Sequence, residues 1–200
     1  MELILASGNH HKAIEIAGIL RGYSVVCYNE RAEPIEIEEN GASYAQNAMI
    51  KARAVFEHIG DQNAAVISDD SGISVEALGG EPNIRSARYA AARGERSNDE
   101  ANLIKLTGEL KRRGLSASRA FYTAAIALKC GAGEFTAHGW LHGSVIAERR
   151  GANGFGYDPI FVPETFDRTL GELSAEIKAG ISHRFRALTN ITPLLSVIFR

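Results

Sequence analysis

Cysteine is scarce in this chain: Cys27 and Cys130 are the only two in 200 residues. They form no CxxC pair and no Cys/His metal spacing, which argues against a disulfide framework or a zinc site and fits a reducing cytosol. No apolar run approaches the roughly 18 residues that a spanning helix needs. The opening Met1-Glu2-Leu3-Ile4-Leu5 has neither the basic start nor the long apolar core of a signal peptide. An excess of one charge is missing too, with 22 basic residues against 24 acidic ones and a net charge of −2. No basic block occurs, so a nucleic-acid polymer is not the expected partner. These absences describe a soluble, cytoplasmic protein without a membrane partner.

What is present is an ordinary globular composition, 45% apolar and 23% charged. A chain of this length buries about 70% of its unfolded surface, as one domain over 1–200 or two closely packed lobes. Leu3 to Ala6 reads as a buried strand and His11 to Arg21 as a helix burying Ile14, Ile16, Ala17 and Leu20. Tyr23 to Tyr28 reads as a second strand. Ser43 and Gln46 form a capping box opening a helix to Ile59, with Ala45, Ala48, Met49, Ala52, Val55, Phe56 and Ile59 on its core face. Asn47 and Lys51, four apart, point together from another face. Strands are expected at Ala64 to Ser68 and Ile73 to Ala77. Ser97 and Glu100 suggest a second capping box, ahead of a helix carrying Leu103, Ile104, Leu106 and Leu110 and stopping at Gly114.

Arg119 to Cys130 and Glu134 to Ile146 are alternating runs separated by a Gly131-Ala132-Gly133 hairpin signal. Pro159 to Pro163 reads as a strand and Glu172 to Lys178 as a helix. A last helix starts at Ser182 and carries Phe185, Leu188, Ile191, Leu195 and Ile198, with Pro193 expected to bend it. The mixture lacks strict βαβ alternation, so an α/β domain with a mixed sheet is expected.

The most informative stretch is Val66-Ile67-Ser68-Asp69-Asp70-Ser71-Gly72, an apolar run ending in adjacent carboxylates. Ionising both is costly without a cation or strong donors nearby. Mg²⁺ takes oxygen ligands of this kind and keeps waters and substrate phosphates. An acidic turn in water would also use Asp, Ser and Gly. Adjacent strand residues point to opposite faces, so the two aspartates should differ in role.

Four further pieces accompany it. Ser7-Gly8-Asn9-His10-His11-Lys12 lies between strand and helix, where free N–H groups and the helix dipole favour a phosphate; a capped helix start with a surface lysine has the same pattern. His10 and His11 read as exposed rather than as ligands. In Glu36-Ile37-Glu38-Glu39, the first two glutamates read as a solvated face and Glu39 as a candidate to share a cation with Asp70. Gly151 to Pro159 presents Phe155 and Tyr157 beside Asp158, suited to stacking on a nucleobase, although one of the two rings can instead return to the core. Lys178 and Ser182-His183-Arg184 offer cations for phosphates or a base oxygen, and Ser182 an N-cap.

In this order the blocks SGNHHK (7–12), ENGASYAQNAMIKARA (39–54), SDDSGISVEALGGEPNIRSARYA (68–90), GFGYDPIF (154–161) and ISHRFRAL (181–188) resemble the inosine triphosphate pyrophosphatase family. The resemblance implies an elongated mixed sheet flanked by helices in two lobes, with a central substrate cleft, in a homodimer. It implies cleavage of deaminated purine triphosphates (ITP, dITP, XTP) to the monophosphate and pyrophosphate with Mg²⁺, for which Mn²⁺ can substitute. Position by position it makes Ser7, Gly8, Asn9 and Lys12 triphosphate contacts, Glu39 and Asp70 metal ligands, and Asp70 the catalytic base. Ser71 then contacts substrate, Phe155, Gly156, Tyr157 and Asp158 the nucleoside, and Lys178, His183 and Arg184 complete the site, with Arg184 serving the 6-oxo group. Asn40, Gln46, Asn83 and Phe185 depart from the commonest family residues (threonine, glutamate, glycine and glycine) without removing a catalytic group. A Maf-type pyrophosphatase and a non-catalytic nucleotide-binding regulator are the alternatives; the SHR and FGYDP blocks disfavour the first, and retention of both aspartates with Lys12, Lys178 and Arg184 the second.

Overall fold

Six strands, β1 (Glu2–Leu5), β2 (Ser24–Cys27), β3 (Ala65–Val75), β4 (Ala117–Cys130), β5 (Gly133–Ile146) and β6 (Phe161–Pro163), form one mixed sheet in the order β2-β1-β3-β4-β5-β6. The structure is a computed structural model describing residues 1–92 and 97–199, with the side chain of His11 outside that set. Helices α1 (His10–Ile19), α2 (Tyr44–Ile59), α3 (Asp99–Arg112), α4 (Ala175–Ile181) and α5 (His183–Ile198) accompany the strands. Among the described residues, no helix is long and apolar enough to cross a membrane.

The contacts divide the chain into two units. The first comprises Met1–Asp70, Ala124–Gly139 and Arg184 onward. Here β1 pairs in parallel with β2, Leu5 opposite Cys27, and with β3, Leu5 opposite Ile67. Parallel strands are covered on both faces, which is why β1 reads as a plain apolar run. Leu3, Leu5, Ile16, Leu20, Ile67, Ile126, Leu128, Leu188 and Leu195 form its core, each full burial contributing about 1.5–3 kcal/mol. The second unit comprises Ser71–Thr123 and Trp140–His183. Its core gathers Ile73, Leu103, Leu106, Leu110, Tyr122, Leu141, Phe161 and Leu173, and β5 pairs antiparallel with β6.

Several expectations need correction. The buried stripe of α1 is Ala13, Ile16 and Leu20, at spacings of three and four, and Ile14 lies off it in solvent. Ile104 is likewise exposed on α3. That helix is capped by Asn98, whose side chain accepts from the Ala101 N–H, one residue beyond the expected Ser97. Glu172 is not helical: its carboxylate accepts from the Thr169 N–H at 2.8 Å, and Ser174 caps α4 instead. The strand expected from Pro159 is a 3₁₀ turn as far as Ile160. The Ser43 cap of α2, the α2 core face from Ala48 to Phe56 and the β4–β5 hairpin are as expected, but the box is not closed, because Gln46 Oε1 accepts from the Ala42 N–H rather than from that of Ser43.

Candidate active site

The two aspartates do not follow a strand; they lie inside one. β3 runs unbroken from Ala65 to Val75, joining what the sequence suggests are two strands. Asp, Ser and Gly are poor strand formers, but here tertiary partners override propensity. The Ser68 hydroxyl donates to the Ala48 carbonyl of α2, and each carboxylate is met by cations. The pleat sends Asp69 and Asp70 to opposite faces.

On one face, Asp69 is 3% exposed. The Lys12 ammonium donates to its Oδ1 at 2.8 Å, and Arg184 donates to its Oδ2 from Nε at 3.2 Å and Nη2 at 3.0 Å. Arg184, 5% exposed, also donates from Nη1 to both Glu15 oxygens, at 3.1 and 3.0 Å. Burial alone would push the Asp69 carboxyl up; Lys12 and Arg184 override it and hold the group well below the usual carboxylate range. Burial likewise works against the Arg184 charge, and Asp69 and Glu15 outweigh it and raise its pKa. This is a buried ion cluster. The Arg184 guanidinium, expected to serve a 6-oxo group, is here bonded to two acids.

On the other face, Asp70 accepts from Asn47 Nδ2 at 3.2 Å and from the Lys51 ammonium at 3.2 Å, and Lys51 also donates to Glu39 at 3.1 Å. Glu39 and Asp70 therefore share the Lys51 ammonium, where the expectation is a shared divalent metal ion. Burial pushes the Asp70 carboxyl up to about 6, Lys51 opposing and Glu39 adding to the rise. Burial disfavours the Lys51 charge, but Asp70, Glu39 and Asp69 raise its pKa. Gly41 donates its N–H to Asn47 Oδ1 at 2.8 Å, and a Cβ at Gly41 would lie 2.7 Å from that oxygen. Only a glycine lets the chain beyond Glu39 close on α2.

Lys51 is the functional residue that sequence reasoning undervalued. Its spacing from Asn47 is visible, but its carboxylate partners lie far away in sequence. A lysine on the half-buried face of a helix is the available signal, because lysine is seldom buried unpaired. Glu36 and Glu38 are exposed, as expected.

The loop ahead of α1 is built by its own side chains. Asn9 Oδ1 accepts from the Lys12 N–H and caps the helix, while Ser7 Oγ accepts from the Asn9 N–H. Gly8 faces Asn29, whose Nδ2 would lie 3.4 Å from an added Cβ. Ser71 is half-buried in β3 beside Asp70.

The second unit holds the aromatic group. Asp158 Oδ2 accepts from the Phe155 N–H at 2.8 Å and from the Lys178 ammonium. Gly154 makes that turn possible, with φ +80° and an ideal Cβ position 2.1 Å from Asp158 Oδ2. Burial pushes the Asp158 carboxyl up, against Lys178 and the Phe155 N–H. Phe155 is 60% exposed and carries the Lys178 ammonium 4.3 Å from its ring centroid. Tyr157 is 5% exposed, packs in the core and donates its hydroxyl to the Ser86 carbonyl at 2.8 Å. One ring is presented and the other returns to the interior, which corrects Tyr157 as a stacking group. Gly156 donates its N–H to Asp99 at 2.9 Å, and His183 stacks on Tyr122, centroids 4.7 Å apart and planes 6° apart.

Chemically, the first unit offers two hard oxygen donors, Glu39 and Asp70, that a divalent cation such as Mg²⁺ would take. Their attraction for one ammonium shows that the pair lacks positive charge. The second unit offers an exposed aromatic face beside a lysine.

Known proteins are similar to this chain over nearly its whole length. The Ham1 family model matches residues 3–194. A dITP/XTP pyrophosphatase of Nautilia profundicola is 50% identical over 198 residues, 99% of each chain. One of Campylobacter jejuni is 44% identical over 201 residues, covering 99% of this chain and 98% of the relative. Among solved structures, a HAM1 protein from Coxiella burnetii superposes with a TM-score of 0.87 at 34% identity, over 98% of this chain and 99% of that one. The Staphylococcus aureus Ham1 protein gives 0.85 at 34% identity, over 99% and 100%. Sequence and architecture agree from end to end, and the chain belongs to the Ham1 family.

Proposed function

We propose that this protein hydrolyses deaminated purine nucleoside triphosphates, those of inosine, deoxyinosine and xanthosine, to the monophosphate and pyrophosphate. The names of its relatives support the substrate class. The observation that carries the chemistry is the Glu39–Lys51–Asp70 arrangement. Two carboxylates on one ammonium form an acidic cluster that attracts cations and, through them, a polyphosphate. Asp70, with its pKa raised to about 6 before ligands bind, suits a general base that orients and deprotonates water near neutral pH. Asn47 holds its other oxygen and fixes its direction.

Glu39 and Asp70 would hold Mg²⁺, or Mn²⁺ in its place, and that ion supplies charge neutralisation for the polyphosphate. Lys51, displaced from the carboxylates, is then available to phosphate oxygens. Lys12, half-buried beside Asp69, adds charge at the Ser7–Asn9 loop, where the capped start of α1 presents N–H groups. Phe155, Lys178 and His183 are assigned to the nucleoside. A 6-oxo group accepts hydrogen bonds where a 6-amino group donates, and a site of matched donors can discriminate by roughly 10⁴ in favourable cases. With Arg184 committed to Asp69 and Glu15, the donors assigned to that oxygen are Lys178, His183 and backbone N–H groups of the 154–158 turn.

A panel of inosine, xanthosine, adenosine, thymidine and uridine triphosphates, followed for pyrophosphate and orthophosphate, tests the reading. Pyrophosphate from the first two is expected, and activity abolished by a chelator. Orthophosphate as direct product, a pyrimidine preference or undiminished activity in excess chelator would contradict it. A cytoplasmic homodimer is the proposed setting: Cys27 and Cys130 are free thiols, suited to a reducing compartment, and sedimentation at micromolar concentration reads the assembly state.

A further inference from the structure

We propose that His10, Cys27 and Glu30 form a second metal site, for a thiophilic divalent cation of the Zn²⁺ class, separate from the oxygen donors Glu39 and Asp70. One nitrogen, one sulfur and one carboxylate oxygen from these residues lie within 4.8 Å of one another. They converge from three elements: His10 is the first residue of α1, Cys27 ends β2, and Glu30 closes the 3₁₀ turn Tyr28–Glu30. The cluster is held in place by its own bonds. Cys27 donates its backbone N–H to Glu30 Oε1 at 2.9 Å, and the Glu30 N–H points at the Cys27 sulfur in a reciprocal cap. His10 Nδ1 stands 3.7 Å from the same Glu30 oxygen.

The donor set is the chemical argument. Sulfur and imidazole select zinc-like ions over Mg²⁺, which prefers oxygen alone. With zinc–sulfur bonds near 2.3 Å and zinc–nitrogen or –oxygen bonds near 2.0–2.2 Å, tetrahedral ligands lie roughly 3.4–3.6 Å apart. The His10–Glu30 separation is already close to that. Cys27 is fully buried beneath two exposed side chains, so an ion can arrive from solvent through His10 and Glu30 and meet the sulfur below. Binding replaces the thiol proton, which leaves to solvent, with a metal–sulfur bond; water takes the fourth position. Because His10 adjoins the helix cap Asn9, and Asn29 of the same turn faces Gly8, the ion would tie the Ser7–Asn9 loop to the end of β2.

The experiment uses the purified full chain, stripped with chelator and titrated with Co²⁺. A thiolate-to-cobalt charge-transfer band in the near ultraviolet is expected at one equivalent, reversed by Zn²⁺ and unaffected by a large excess of Mg²⁺. Cys130→Ser should retain the band and Cys27→Ser should lose it. Because serine at a buried position can impair folding, His10→Ala, at an exposed position, is the second variant and should weaken Co²⁺ binding at least about tenfold. No band in the unaltered protein, a band surviving in Cys27→Ser, or unchanged affinity in His10→Ala would each overturn the proposal.

Discussion

Replacing Arg184 by methionine separates two roles that cannot both be primary. A residue that reads the base would, when truncated, erase preference among nucleotides and leave the fold intact. The structure points the other way. Arg184 makes four charge-assisted hydrogen bonds, two to Asp69 and two to Glu15. Removing one partner of a buried pair costs about 3–5 kcal/mol, because the remaining charge stays buried. Lys12 still bonds Asp69 at 2.8 Å, and Glu15 is exposed enough to hydrate, so the lower half of that range, about 3 kcal/mol, applies. For a chain of this size, 2–4 °C accompanies each kcal/mol, so the melting temperature should fall by roughly 6–12 °C.

The Asp69 carboxyl is depressed in the folded state, so its contribution is fully present above the unfolded value of 3.8 and lost only as pH falls below it. The penalty should therefore be constant from pH 5 to 8. Urea unfolding of Arg184→Met, Asp69→Asn and the double variant measures it; the double variant should be less destabilised than the sum by about 1–3 kcal/mol. A loss under about 1 kcal/mol with strictly additive effects would refute the buried-cluster argument. So would a collapse of inosine-over-adenosine selectivity at unchanged stability.

Asp70→Asn should abolish turnover while retaining nucleotide binding, read by calorimetry; full activity would remove Asp70 from the mechanism. Because the folded Asp70 pKa is raised to about 6, its protonated form is favoured by folding. The metal-free protein should therefore lose up to about 3 kcal/mol as pH rises from 4 through 6, and Asp70→Asn should flatten that loss in chelator-treated melts. Gly154→Ala should raise KM for inosine triphosphate and lower stability by about 1–2 kcal/mol, since φ is +80° and the new Cβ meets Asp158; an unchanged KM would show that the turn is not needed. Asn83, at φ +51°, occupies a left-handed position. Asn83→Gly should be neutral or slightly stabilising and Asn83→Val should cost about 1–2 kcal/mol in thermal melts.

Local rules were readable from the sequence wherever local forces dominate. The helix cap at Ser43, the 3.6-residue stripe of α2 and the Gly131–Gly133 hairpin depend on neighbours within a few residues. The glycine common in the resembled family at position 83 and the asparagine of this chain share a physical reason, since both tolerate positive φ. The continuity of β3 was not readable, because Asp69, Asp70 and Gly72 have low strand propensity and only partners from α1, α2 and α5 make the strand tolerable. The unequal aspartates are anticipated by the pleat, but the ion pairs of the cations are not legible. Lys12, Lys178 and Arg184 look like free positive charges in sequence, and their carboxylate partners at Asp69, Asp158 and Glu15 lie 20 to 169 positions away, apparent only in three dimensions. Tyr157 and Phe155, two residues apart, likewise divide between interior and surface for reasons set by Ser86 and Lys178.

Lys12, Lys51 and Lys178 each rest against an acid, so the empty protein advertises little of its positive charge at long range. A visiting anion gains nothing until it is near enough to trade places with a carboxylate. That exchange rewards a ligand bearing many charges and its own counter-ion, and gives a spent monophosphate little reason to stay.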